Sequence, residues 1–176
     1  HIQDRDAKAI IQSSPLPVNL ECSINEEILD IVCKLKPHRA TLVPEKREEV
    51  TTEGGLDTFK YEKEIQKAIK KLHKSGIEVS LFVDPNIKAM KQSKTLGAEM
   101  VELHTGSYSN IFAMLNSSLP YTNYSVKELE IDRDKLKQKL KNSIKEIKAS
   151  ANYAKKDGLK VAAGHGLNYH NLDAIK

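Results

Sequence analysis

Residues 77–106 read IEVSLFVDPNIKAMKQSKTLGAEMVELHTG, and the fold class turns on them. Ile77 to Val83 is nearly all apolar or β-branched on alternate positions, which predicts a short buried strand ending at Asp84. Pro85 follows where a helix can begin, and Gly97 is placed to close it. Met100-Val101-Glu102-Leu103 is then a second apolar strand. Two buried strands joined through a helix are the unit of a parallel sheet, because parallel neighbours need a long crossover connection.

The same alternation extends in both directions. Upstream, Val18-Asn19-Leu20-Glu21 follows Pro15 and Pro17 as a short strand. Asn25 can cap a helix bearing Ile28, Leu29, Ile31, Val32 and Leu35, and Pro37 ends it. Arg39 to Val43 is another strand. Tyr61 to Ser75 is a helix with Ile65, Ala68, Ile69 and Leu72 on one face and Gly76 at its C-terminal end. Downstream, the stretch from Gly106 to about Ser125 is rich in Ser, Asn and Tyr and reads as irregular. A long helix follows, with Leu136, Leu140, Ile144, Ile147, Ala151 and Ala154 at steps of three and four, and Gly158 terminates it. Leu159 to Ala163 is the fifth strand, and a further helix is expected from Asn168.

This pattern predicts an α/β fold with helices outside a parallel sheet. An open doubly wound sheet and a (β/α)8 barrel share it, and the loops discriminate. The segments leaving the strands are chemically rich: Glu21; Pro44 through Gly55; Asp84; Glu102 with His104-Thr105-Gly106; and Gly164-His165-Gly166. The segments entering the strands, such as Lys74-Ser75-Gly76 and Lys156-Asp157-Gly158, are plain turns. That asymmetry suits a barrel whose loops converge on a site at the C-terminal ends of its strands.

Taken singly, the residues leave alternatives open. A carboxylate at the end of an apolar strand costs free energy unless paired or functional. Desolvation would raise its pKa toward the range of a general base. Glu21 and Glu102 therefore read either as acid–base groups or as carboxylates holding a nearby arginine or backbone amide. His165 sits between two glycines, which leave its ring uncrowded; a tight turn with an incidental histidine is the other reading. His104 either donates to a neighbouring carboxylate or is a satisfied core histidine. Thr51-Thr52-Glu53-Gly54-Gly55 is either a polar lid or a surface turn. No triad order, Walker loop or dinucleotide fingerprint is present.

Composition narrows the classes. The 176 residues are 39% hydrophobic and 30% charged, as expected of a globular domain. No apolar run approaches the roughly 18 residues of a membrane span. His1-Ile2-Gln3-Asp4-Arg5-Asp6 lacks the apolar core of a signal peptide, and the absence of an initiator Met implies a start inside a longer chain. Cys22 and Cys33 have no metal-ligand spacing and are expected to be buried thiols in a reducing compartment. The net charge of +4 resides largely in lysines of helical patterns; with no interleaved aromatics, nucleic-acid binding is not expected.

Five segments, taken together, resemble the pyridoxine 5'-phosphate synthase family: Val18 to Glu21; Leu42-Val43-Pro44-Glu45-Lys46-Arg47 running on to Thr51-Thr52-Glu53-Gly54-Gly55-Leu56-Asp57; Val79 to Asp84; Glu102 to Gly106; and Ala163-Gly164-His165-Gly166-Leu167-Asn168-Tyr169-His170-Asn171. They stand in the family's order and span nearly the whole chain. The resemblance implies a single-domain (β/α)8 TIM barrel over residues 1–176, here lacking the family's first two strands and its last. The segment from Ser107 to Asp132 exceeds the family's usual connection and reads as an insertion.

The resemblance also implies a reaction. 3-Amino-2-oxopropyl phosphate condenses with 1-deoxy-D-xylulose 5-phosphate to give pyridoxine 5'-phosphate and inorganic phosphate, with no metal or organic cofactor, in a cytoplasmic homo-octamer. By match to the family's motifs, Glu21 takes the general-base position, His165 the proton-donor position, and Glu102 that of a transition-state-stabilising carboxylate. His1 and Thr51 match contacts to the deoxyxylulose phosphate, and Gly166 one to the amino ketone phosphate. Two other classes compete: a non-catalytic barrel piece serving assembly, and an aldolase- or epimerase-like barrel, which would need a Schiff-base lysine or metal ligands at strand ends.

Overall fold

The computed structural model describes residues 2–49 and 54–176. After a helix α1 (Asp4–Ser13), strand and helix alternate: β1 (Asn19–Cys22), α2 (Glu26–Leu35), β2 (Arg39–Leu42), α3 (Glu62–Lys74), β3 (Glu78–Val83), α4 (Ile87–Leu96), β4 (Met100–His104), α5 (Gly106–Asn116), α6 (Arg133–Lys156) and β5 (Lys160–Gly164). The expected Asn25 cap forms, and Asn86, rather than the Pro85 before it, opens α4. Asn25 Oδ1 accepts from the Glu27 N–H at 2.9 Å and Asn86 Oδ1 from that of Ala89 at 2.8 Å. Gly97 ends α4 in the left-handed conformation, at φ 97°.

The five strands are parallel throughout, and their spatial order is their chain order, β1-β2-β3-β4-β5. A doubly wound sheet reverses direction at a switch point; this one winds one way only. It is an arc of a (β/α)8 barrel. One register row runs Leu42, Leu81, Val101, Val161 across the sheet. This face is apolar and packs against Leu29 and Val32 of α2, Ile65, Ile69 and Leu72 of α3, Met90 of α4, and Ile147 and Ala154 of α6. The alternate residues form the other face. There Glu21 pairs with Thr41, Thr41 with Ser80, and Phe82 with Glu102. The inner face is thus polar in its middle, and at its N-terminal end Glu78 bridges Arg39 (3.2 Å) and Lys160 (2.9 Å).

Three expectations need correction. The stretch after β4 is not irregular throughout: α5 occupies Gly106–Asn116, followed by 3-10 turns at Leu119–Tyr121 and Lys127–Leu129. Its sequence is poor in strong helix formers. What holds it is a small second core in which Ile111, Met114 and Leu115 meet Leu136 of α6, with Leu119, Val126 and Leu129 packed against them. Residues 168–176 form turns, not a helix, because Asn168 Oδ1 accepts from the His170 N–H (2.8 Å) and Asn171 Oδ1 from the Asn168 N–H (2.8 Å). Cys33 is only partly buried, whereas Cys22 is buried. No helix among the described residues is long and apolar enough to cross a membrane.

Candidate active site

The C-terminal ends of the strands surround a cavity of about 410 Å³. Glu21 from β1, Glu102 from β4 and His165 from the turn after β5 line it, with Phe82, His104 and Gly54. A larger cavity of about 630 Å³ lies between β1 and helices α1 and α2. It shares Glu21, but much of its wall is apolar helix surface such as Ile28, Ile31 and Val32, so the acid–base groups concentrate in the smaller one.

The two carboxylates differ in exposure. Glu21 lies exposed on β1, the first strand of this arc. Glu102, on the interior strand β4, is half-buried. Burial pushes its carboxyl above the usual range; the Glu21 charge adds to the rise and His165 partly offsets it. Glu102 lies so close over β5 that a Cβ on Gly164 would overlap its Oε1.

His165 follows directly. Its backbone is left-handed, at φ 82°, and Gly166 beside it has φ 80°. A non-glycine residue there is strained and must be held. The buried Thr105 holds it: its N–H donates to Gly164 O (2.9 Å), and its hydroxyl lies 2.6 Å from Gly164 O and 2.8 Å from His165 O. Asn171 Nδ2 donates to Gly166 O at 3.1 Å, and the Tyr108 hydroxyl donates to Asn171 O. The His165 ring itself is exposed toward the cavity.

His104 is buried at the centre of the cluster. Burial pushes its pKa down, His165 adds to the fall, and Asp84 opposes it. Its Nδ1 stands 4.0 Å from Asp84 Oδ1, an electrostatic contact too long for a hydrogen bond, so this nitrogen has no hydrogen-bond partner among the described residues. Asp84 Oδ1 accepts from the Gly55 N–H at 2.9 Å, anchoring the base of the Thr51–Gly55 segment.

The fold therefore brings Glu21, Glu102, His165 and Gly166 to one end of the sheet. His1 and Thr51 lie outside the described residues. The Thr105–Asn171–Tyr108 clamp was not anticipated; its only trace in the sequence is the position of Thr105 one residue beyond a strand. Among the described residues no group of three His, Cys, Asp or Glu side chains is arranged to hold a metal ion.

Residues 1–176 match the family model described as Pyridoxal phosphate biosynthesis protein PdxJ. The chain belongs to the PdxJ family. Similar curated proteins include "Pyridoxine 5'-phosphate synthase" of Sulfurimonas denitrificans, 64% identical over 98% of this chain and 66% of the relative. The proteins of the same description from Aliarcobacter butzleri and Nitratiruptor sp. are 62% and 58% identical over 99% of this chain, covering 67% and 66% of their own lengths. This PdxJ-family chain thus spans about two-thirds of the length of the curated relatives it matches.

Proposed function

We propose that the protein containing this chain is a pyridoxine 5'-phosphate synthase, condensing 3-amino-2-oxopropyl phosphate with 1-deoxy-D-xylulose 5-phosphate by general acid–base catalysis. The observation that carries the reading is the convergence of Glu21, Glu102 and His165, from three separate strands, on one cavity. Imine formation, dehydration and ring closure are successive proton transfers. They need a base, an acid and a group that buffers charge between them.

Glu21 is the base: its carboxylate lines the cavity with Glu102 and His165. His165 is the acid, its ring presented by a turn that the Thr105 hydroxyl holds. Glu102, its carboxyl raised by burial and by Glu21, sits where positive charge developing on the substrate nitrogen would favour its ionised form and be stabilised by it. His1 and Thr51 contact the deoxyxylulose phosphate, and Gly166 the amino ketone phosphate. The enzyme needs no metal or organic cofactor, acts in the cytoplasm and assembles as a homo-octamer. Its single barrel domain carries the Ser107–Asp132 segment as an insertion at the mouth of the site. No lysine is among the described residues lining the cavity, so a Schiff-base aldolase finds no support there.

The test is to incubate the purified full-length protein with both substrates and an excess of chelator and follow pyridoxine 5'-phosphate and phosphate release. Stoichiometric formation of both is expected. No product from active, folded protein would refute the activity, and a requirement for added divalent ion would refute the metal-free mechanism.

A further inference from the structure

His104 has so far been given no task, yet the structure surrounds it with unusual care. Phe82 meets its ring edge-on, with centroids 5.0 Å apart and planes at 85°. Gly54 and Gly106 close on its Cε1–Nε2 edge: a Cβ on either would stand 2.7–2.9 Å from those atoms. On the cavity side the His165 ring lies 4.8 Å away, tilted by 33°.

His165 depends on that contact. The hydrogen bonds at this turn fix its backbone, but among the described residues none reaches either of its ring nitrogens. Phe82 touches the His165 ring only at 6.1 Å, so the stack on His104 is its main lateral support. Packing alone does not account for a histidine at position 104. Its Nδ1 is buried without a hydrogen-bond partner among the described residues, a cost that an apolar side chain would avoid.

We propose that His104 is a positioning residue for His165: its imidazole, wedged by Phe82, Gly54 and Gly106, is the flat platform that orients the His165 ring toward substrate. The inference rests on the assignment of His165 as proton donor. Burial and the neighbouring His165 lower the pKa of His104, which favours the uncharged ring that a stacking platform needs. Gly54 packs on His104 and Gly55 is tied to Asp84, so the platform joins these two glycines to the proton donor.

The test is a double-mutant cycle in the full-length protein, using His104→Leu and His104→Asn, each alone and combined with His165→Asn. Melting curves establish folding, and steady-state and single-turnover rates are measured with both substrates. Each folded His104 variant should lose about 10- to 100-fold in kcat, the scale of a misplaced reacting group, with KM changed less than about threefold. In the His165→Asn background the further loss should be below about threefold, because nothing remains to be positioned. Wild-type kcat in folded His104→Leu would overturn the inference. So would a fully additive loss in the double variant, or a failure of both His104 variants to fold, which would make the residue one of packing. A wild-type rate for His165→Asn alone would instead remove the proton-donor assignment, and this inference with it.

Discussion

Replacing Thr105 by Val tests whether one hydroxyl holds the proton donor's turn. Thr105 is fully buried, and its Oγ1 is shared between Gly164 O at 2.6 Å and His165 O at 2.8 Å. Valine keeps the shape and removes the hydrogen bond, whose net contribution is about 1 kcal/mol, more where an acceptor is left unsatisfied. Gly164 O retains the Thr105 N–H at 2.9 Å, but His165 O keeps only the 3.4 Å approach of the Ser109 hydroxyl. The strain opposing the bond, His165 at φ 82°, is of the same order, about 1–3 kcal/mol. Removing the bond should therefore let the turn relax. We expect a stability loss of about 1–2 kcal/mol, or roughly 2–8 °C in Tm. The larger effect should be on kcat, at least about tenfold, because a ring displaced by an ångström no longer reaches its target. Thermal unfolding and steady-state kinetics of full-length Thr105→Val and Thr105→Ser read both quantities; the serine should restore kcat while remaining less stable. A valine variant with unchanged Tm and kcat would refute the clamp. A lowered Tm with wild-type kcat would reduce Thr105 to a packing residue.

Further outcomes follow from the same geometry. Glu21→Gln should fold and lose at least about two orders of magnitude in rate, as for removal of a positioned base; wild-type turnover would exclude Glu21 from the chemistry. The same variant removes a charge that raises Glu102, so the Glu102 carboxyl should titrate at lower pH, and an unmoved carbon-13 carboxyl titration would contradict their coupling. His165→Asn should bind both substrates while single-turnover product formation drops by about two to four orders of magnitude, and a raised KM with unchanged turnover would recast the residue as a phosphate contact. Burial pushes Glu78 upward, but hydrogen bonds from Lys160 and Arg39 outweigh it and leave its carboxyl below the usual value. Its stabilisation is then complete above the unfolded pKa of about 4.3 and is lost as pH falls through the lower folded value. Glu78→Gln should accordingly destabilise the protein at pH 7 and flatten the acid limb of its stability profile, whereas an unchanged limb would show that this bridge is neutral.

Much of this arrangement was legible because the strands advertise themselves. Glu78–Val83 alternates apolar and β-branched residues, and Asn25 and Gly97 announce the helix ends they form. The unequal chemistry of the two sets of loops pointed to the end of the sheet where Glu21, Glu102 and His165 line one cavity. Helix α5 was not legible: Gly106-Ser107-Tyr108-Ser109-Asn110 is weak helical sequence, and its support comes from Leu136, far along the chain. Residues after Asn168 misled for a related reason, since Asn168 and Asn171 form turn hydrogen bonds where a helix cap was expected. Within the site, the sequence treats Glu21 and Glu102 alike, as acids near strand ends. The structure adds what the sequence cannot show for Glu102, whose side chain lies close over Gly164 and is half-buried there. The stack of His104 on His165 joins residues from two strands and leaves no trace in either segment.

The two faces of the sheet explain why such a site can exist on a stable scaffold. Leu42, Leu81, Val101 and Val161 all face the helices, so the burial that stabilises the fold is concentrated on one side. The inner face is then free to hold groups that cost stability: an unpartnered histidine nitrogen, a carboxyl raised by burial, and a histidine at positive φ. The titratable and strained groups cluster at the C-terminal ends of the strands, while at the N-terminal ends Arg39 and Lys160 pair with Glu78, although Arg39 Nε stays without a hydrogen-bond partner among the described residues. A barrel selected for stability alone would have no reason to segregate its strain in this way. Segregation is what acid–base chemistry requires, because groups poised to exchange protons with substrate cannot also be neutralised by one another.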